Sequence, residues 1–240
     1  MPEHRIVECS SWKDYKSSVT EGLFNNEPFQ RGKYLFRGHG SADWSLMSSF
    51  DRWFAATSRK RRVKTWEEMF ATFRRESEGT EVDQMVWKDE SAAYALAQHH
   101  GLPTRLLDWS ESPYIAAFFA FASIPAAAPE FVAIWALDTQ NEVWGNDIGA
   151  VILNVSGFGN ERLRSQLGRF TLLKAPSDSL DGFMMSIAGI ENPLTKFVVP
   201  SKEARHALAE MEVMGISYSR IFPGLDGAAR AAHLHMTVNR

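Results

Sequence analysis

The chain has 240 residues, of which 45% are hydrophobic and 23% charged, with a formal net charge of −3; a globular body with a substantial buried core is within its reach. That charge excludes a global basic field, so nucleic-acid contact would need a local patch. The single cysteine, Cys9, excludes an intrachain disulfide and a thiolate zinc cage. No window approaches the ~18 apolar residues of a membrane span, and the N-terminal stretch lacks an apolar core of signal-peptide length, which points to a cytoplasmic protein without membrane insertion.

In chain order, Ser10 or Ser11 caps a helix carrying Trp12, Tyr15 and Val19 at helical spacing, with Gly22 as its stop. Lys33 to Arg37 is short and aromatic and reads as a strand broken by Gly38 and Gly40. The basic run Arg59, Lys60, Arg61, Arg62 and Lys64 reads either as a solvated loop or helix start or as an arm for nucleic acid. Thr65 to Glu78 places Trp66, Met69, Phe70 and Phe73 on one helical face, and Glu90 to His100 forms a second helix ended by Gly101. Ser112 and Pro113 are an N-cap and first helical residue ahead of an apolar, alanine-rich helix. Strands follow at Phe131 to Leu137, Gly149 to Val155, Phe170 to Leu173 and Lys196 to Val199. A helix from Ser201 to Met214, capped by Ser201, carries Ala207, Leu208 and Met211, and a tail turns at Pro223 and Gly224. The pattern gives an α+β fold with a mixed β-sheet core and flanking helices.

Three stretches concentrate polar residues. In Phe36-Arg37-Gly38-His39-Gly40, an arginine at a strand end meets a phosphate or carboxylate with its planar fork, while the glycines admit ligand and backbone to close approach; a β-turn with an exposed arginine is the alternative. In Gln98 to Ala122, Thr104, Arg105 and Ser110 lie just upstream of a helix start that favours anions. The alternative there makes Asp108 a cap, Arg105 its ion-pair partner and Trp109 part of the core. In Arg162 to Phe170, Arg164, Gln166 and Arg169 precede a strand, or simply form a charged loop. No HExxH, GxSxG, Walker A or complete GxGxxG pattern is present.

Together YLFRGHG with ADWSLMSSFDR, AQHHGLPTRLLDWSESPYIAAFFA, RSQLGRFTLL, and FVVP with MGISYSRIFPGLDG resemble the FRG domain family, from about residue 34 to 228. The resemblance implies a single domain over 1–240 with the helix at 10–22 packed on it. More distantly, the chain resembles ADP-ribosyltransferases of the Arg-Ser-Glu type. That resemblance implies NAD as substrate, with Arg37 and Gly38 as the first motif and Leu107 to Ala117, including Ser110 and Ser112, as the second. Where that family carries a glutamate, this chain offers Gln166, which hydrogen-bonds a ribose but brings no charge.

On this reading Arg37, Gly38, Thr104, Arg105 and Ser112 bind the NAD phosphates and ribose, and Trp109 and Tyr114, with Trp44, wall the nicotinamide. Asp108 supplies negative charge to the cationic transition state, with Glu111 as a second source; Ser110 orders the nicotinamide-side pocket, Gln166 hydrogen-bonds the ribose, and His100 or His99 activates an acceptor. The implied activity is transfer of ADP-ribose to a protein or nucleic acid, in a toxin or phage-defence setting where an antitoxin or partner protein fits. No metal is required. A non-catalytic nucleotide-binding module and an NAD glycohydrolase are the rivals.

Overall fold

The computed structural model describes residues 3–25, 30–80, 86–145, 149–155, 168–175, 177–189 and 191–238. Its centre is a mixed seven-stranded sheet formed by β1 (Arg5–Glu8), β2 (Tyr34–His39), β3 (Leu106–Ser110), β4 (Phe131–Asp138), β5 (Ala150–Leu153), β6 (Gly168–Leu173) and β7 (Leu194–Pro200), in the order β1-β7-β4-β2-β3-β6-β5. Only β1 and β7 pair in parallel; the other pairs are antiparallel. The helices are α1 (Trp12–Phe24), α2 (Ser49–Trp53), α3 (Arg59–Glu76), α4 (Glu90–His99), α5 (Pro113–Ala122), α6 (Leu180–Ser186), α7 (Ala204–Val213), α8 (Tyr218–Ile221) and α9 (Leu225–Val238). The fold is α+β, with helices flanking a mixed sheet.

Period-two alternation gives each face of the sheet its own core. On one face Phe36, Ile134 and Phe197 pack with Trp12 and Tyr15 of α1 and Phe118 and Phe121 of α5. On the other, Leu35, Trp135 and Leu137 meet Leu107 and Trp109 of β3 and Leu180 and Met184 of α6. β4 is central and buried at six successive positions, hence its unbroken apolar run.

Helix boundaries differ from those read in the sequence for local reasons. α1 runs through Gly22 because Leu23 is buried; the helix ends at Asn25, which takes the left-handed conformation at φ 52°. α3 starts at Arg59, so the basic run is a helix start, and Arg62 is buried against Asp51 and Asp178 instead of facing solvent. Ser201 does not cap its helix: a 3-10 turn at Ser201–Glu203 precedes α7, and the Ser201 hydroxyl is buried without a partner among the described residues. The tail after Pro223 is helical, with His233 and His235 on α9. No helix among the described residues is long and apolar enough to cross a membrane.

α5 is pressed onto β2. A Cβ on Gly38 would lie 2.0 Å from the Ala116 carbonyl oxygen and 2.6 Å from the Ala120 nitrogen, and one on Gly40 would lie 2.1 Å from the Ser123 carbonyl oxygen. The small residues of the helix and the glycines at the end of β2 are two halves of one contact, which fixes α5 beside β2.

Candidate functional site

β2 pairs with β4 over six residues but with β3 only at Phe36 and Ser110. Beyond that point the two strands separate, and Arg37 reaches across. Its Nη1 donates to the Asp108 carbonyl oxygen at 2.7 Å and to Asp108 Oδ1 at 2.5 Å. Its Nε donates to His39 Nε2 at 3.3 Å. Because Nε2 accepts, the imidazole proton sits on Nδ1, which faces the Trp44 carbonyl oxygen at 3.3 Å. Burial, and then the Arg37 charge, push the His39 imidazole down to about 3, so it stays neutral across the physiological range.

Arg37, Gly38, Asp108 and Ser110 line a cleft of about 190 Å³ together with Phe36 and Phe119. Burial opposes ionisation of the Asp108 carboxyl, but the charge and hydrogen bond of Arg37 outweigh it and hold the group below the usual carboxylate range. The side chain keeps 53% of its surface open to solvent, so the carboxylate is available from the cleft. A second cation stands close by: Arg52 of α2 donates to the Met47 carbonyl oxygen at 2.6 Å, and its guanidinium is drawn below its ordinary range by burial and then by the Arg37 charge. Trp44 is 46% exposed, with its ring 6.2 Å from that of His39.

Of the site residues read from the sequence, Arg37, Gly38, Asp108, Trp109 and Ser110 converge on this cleft. Asp108 is the partner of Arg37, not of Arg105, and it lies within β3 instead of capping a helix. Gly38 turns its open side to α5, so the space its missing side chain leaves is taken by the helix and not by a ligand. The Trp109 indole belongs to the core, where its Nε1 donates to Thr171 Oγ1 at 2.9 Å, and therefore does not wall a ring in the cleft. Ser110 Oγ accepts the Ser112 amide at 3.0 Å, and Ser112 Oγ caps α5 by accepting the Ile115 amide at 3.3 Å.

The remaining residues stand elsewhere. Thr104 is fully buried: its hydroxyl donates to Gln98 Oε1 and accepts the Leu106 amide, while its carbonyl receives the Phe50 amide and the Ser49 hydroxyl. It ties α2 to the start of β3. Arg105 donates to the Leu173 carbonyl oxygen at 3.0 Å. Tyr114 packs edge-on against Trp12, and His100 is the exposed C-cap of α4 with its ring against His99. Glu111 is buried and bound by Arg31 and Arg169. Gln166 lies outside the described residues, as do Glu161 and Arg164. Among the described residues no group of three or more His, Cys, Asp or Glu side chains is placed to hold a metal ion.

Sequence reasoning passed over His39 and Arg52 as site residues. His39 had a usable signal, since positions two apart on a strand share a face and Arg37 is two residues away. Arg52 had none, because only the return of α2 to Thr104 brings it near Arg37. A family model described as FRG domain matches residues 32–128, a span that holds β2, β3, α5 and the whole cleft. No curated protein and no solved structure matches the chain.

Proposed function

We propose, from the premise that residues 32–128 of this chain are an FRG domain, that the cleft between β2 and β3 binds NAD and that the protein transfers ADP-ribose to a macromolecular acceptor. The observation that carries this reading is the Arg37–Asp108 pair at the parting of two strands, beside Ser110. A guanidinium and a carboxylate of opposite tasks stand together where a dinucleotide has both an anionic diphosphate and a ribose that becomes cationic. In the reaction the glycosidic bond between the ribose C1′ and nicotinamide breaks, and nicotinamide leaves with the bonding pair. The acceptor nucleophile forms the new bond to C1′ and gives its proton to water. Arg37, with Arg52 behind it, holds the diphosphate. Asp108, ionised at neutral pH, faces the positive charge that develops on the ribose and lowers the barrier electrostatically.

The cleft volume of about 190 Å³ is below the roughly 300–1,000 Å³ of pockets that engulf a whole ligand. It therefore receives one end of the dinucleotide, with the rest along the open surface past Trp44. A toxin or phage-defence effector is the setting this activity suits. A non-catalytic nucleotide-binding module is the second reading. It is favoured by the engagement of Arg37 with Asp108, because a pair that only opens to admit an anion binds without turnover.

The test is incubation of the purified protein with labelled NAD and a cell lysate, with Arg37→Ala as control, following free nicotinamide and label on protein and nucleic acid. Label retained with wild type alone is the expected result. Binding of NAD without nicotinamide release selects the binding module, nicotinamide without retained label selects a glycohydrolase, and absence of binding rejects the reading.

A further inference from the structure

Glu111 follows Ser110 directly and is a buried carboxylate, its side chain 7% exposed. Burying one negative charge asks for one countercharge. Glu111 has two: Arg31 Nε donates to Oε2 at 2.8 Å and Arg169 Nε donates to Oε1 at 3.0 Å. The group carries a net positive charge, and each arginine spends only its Nε on the carboxylate. Among the described residues none of the four terminal nitrogens of Arg31 and Arg169 has a hydrogen-bond partner. Both guanidiniums reach solvent, the side chain of Arg31 at 72% exposure and that of Arg169 at 32%. The neighbouring chain leaves them room: Gly32 has φ +79°, and a Cβ there would come within 3.1 Å of Arg169 Nη2.

We propose that Arg31 and Arg169, splayed from the buried carboxylate of Glu111, form an oxyanion subsite for a phosphate-type group at the C-terminal end of β3. A planar fork on each arginine matches the oxygens of a tetrahedral oxyanion, and the shared anchor holds both forks before the ligand arrives, which reduces the entropy lost on binding. The subsite is separate from the Arg37 cleft. Arg169 stands opposite Trp109 in the β3–β6 register, and β3 lies between β6 and β2, which carries Arg37. It is therefore independent of whether the cleft takes NAD.

Calorimetric titration with inorganic pyrophosphate in an Arg37→Ala background isolates this subsite. One binding event is expected to remain, and adding Arg31→Ala or Arg169→Ala weakens it roughly tenfold, as loss of a charge-assisted contact does. Arg31→Lys keeps a cation beside Glu111 and serves where the alanine variant does not fold; without the planar fork it still binds several-fold more weakly. A midpoint of thermal unfolding raised by pyrophosphate in the parent and less so in the Arg31 and Arg169 variants is the second readout. Absence of pyrophosphate binding in the Arg37→Ala background, or a titration unchanged by either substitution, overturns the proposal and leaves the arginines as a clamp on Glu111.

Discussion

Arg37 holds Asp108 at two acceptors with one nitrogen, Nη1, at 2.7 Å from the carbonyl oxygen and 2.5 Å from Oδ1, at the place where β2 and β3 stop pairing. The bond replaces a strand ladder with a side chain. A ligand anion that takes Nη1 of the guanidinium displaces a carboxylate, and doing so sets that carboxylate free in the cleft.

Arg37→Ala is expected to weaken NAD binding at least tenfold while changing stability little. The Asp108 side chain is half open to water, so the ion pair contributes no more than about 1 kcal/mol to folding. Its contribution follows the sign of the Asp108 shift. A carboxyl held below its ordinary value adds stability above the unfolded-state pKa of about 3.9 and loses it as pH falls through the lower folded value. The difference in unfolding free energy between wild type and Asp108→Asn should thus be level from pH 8 to 5 and shrink below about pH 4. Urea titrations at a series of pH values check it. A large stability loss with unaltered NAD binding would make the pair structural.

His39 acts in the same direction on acid stability, over a window that opens at higher pH. Its imidazole is pushed down to about 3 by burial and by Arg37, whereas an unfolded histidine titrates near 6.5. The unfolded chain binds the extra proton first, so this residue costs stability progressively as pH drops from about 6.5 towards 3, by up to about 1.4 kcal/mol per pH unit. His39→Gln, which can still accept from Arg37 and donate to the Trp44 carbonyl, is expected to flatten that acid limb and to keep NAD binding. His39→Leu leaves Arg37 unoriented and weakens binding. Denaturation at pH 4, 5, 6 and 7 together with NAD titration of both variants measures this, and an acid limb identical in all three proteins refutes it.

Much of the fold was legible where burial imposes a period. β4 and β7 announced themselves by apolar runs, and α5 by its Ser112 cap and Pro113. β1 escaped because Arg5 and Glu8 flank two apolar residues, and the strand exists only through its parallel partner β7. In the site, Arg37 stood out at a strand end between glycines, and Asp108 and Ser110 as polar residues just upstream of the start of α5. Which of them meet was not legible: an Asp108 near Arg105 in sequence is bound to Arg37 because β2 and β3 are neighbours, and sheet order is not a local property. Gly38 was visible as a place of close approach, but the approaching partner, α5, was decided by tertiary packing.

Gly38→Ala tests that contact. The added methyl would meet backbone atoms of α5 at 2.0 and 2.6 Å, and backbone cannot swing aside as a side chain does. Either α5 lifts from β2 or the strand shifts, at a cost of about 3 kcal/mol or more. The expected outcome is a fall of several degrees or more in the thermal midpoint, with loss of soluble protein at the upper end. A variant as stable as wild type would show that α5 sits farther from β2.

Thr104→Val separates supporting residues from binding ones. The hydroxyl donates to Gln98 and accepts the Leu106 amide inside a fully buried site, so an isosteric methyl strands two polar partners and costs about 1–3 kcal/mol. Because the residue links α4, α2 and the start of β3 without lining the cleft, NAD affinity at a temperature where the variant is folded should match wild type within about twofold, well inside the tenfold that 1.4 kcal/mol represents. Thermal unfolding and NAD titration on the same preparation decide between the roles. A stable variant that no longer binds NAD would return Thr104 to the ligand.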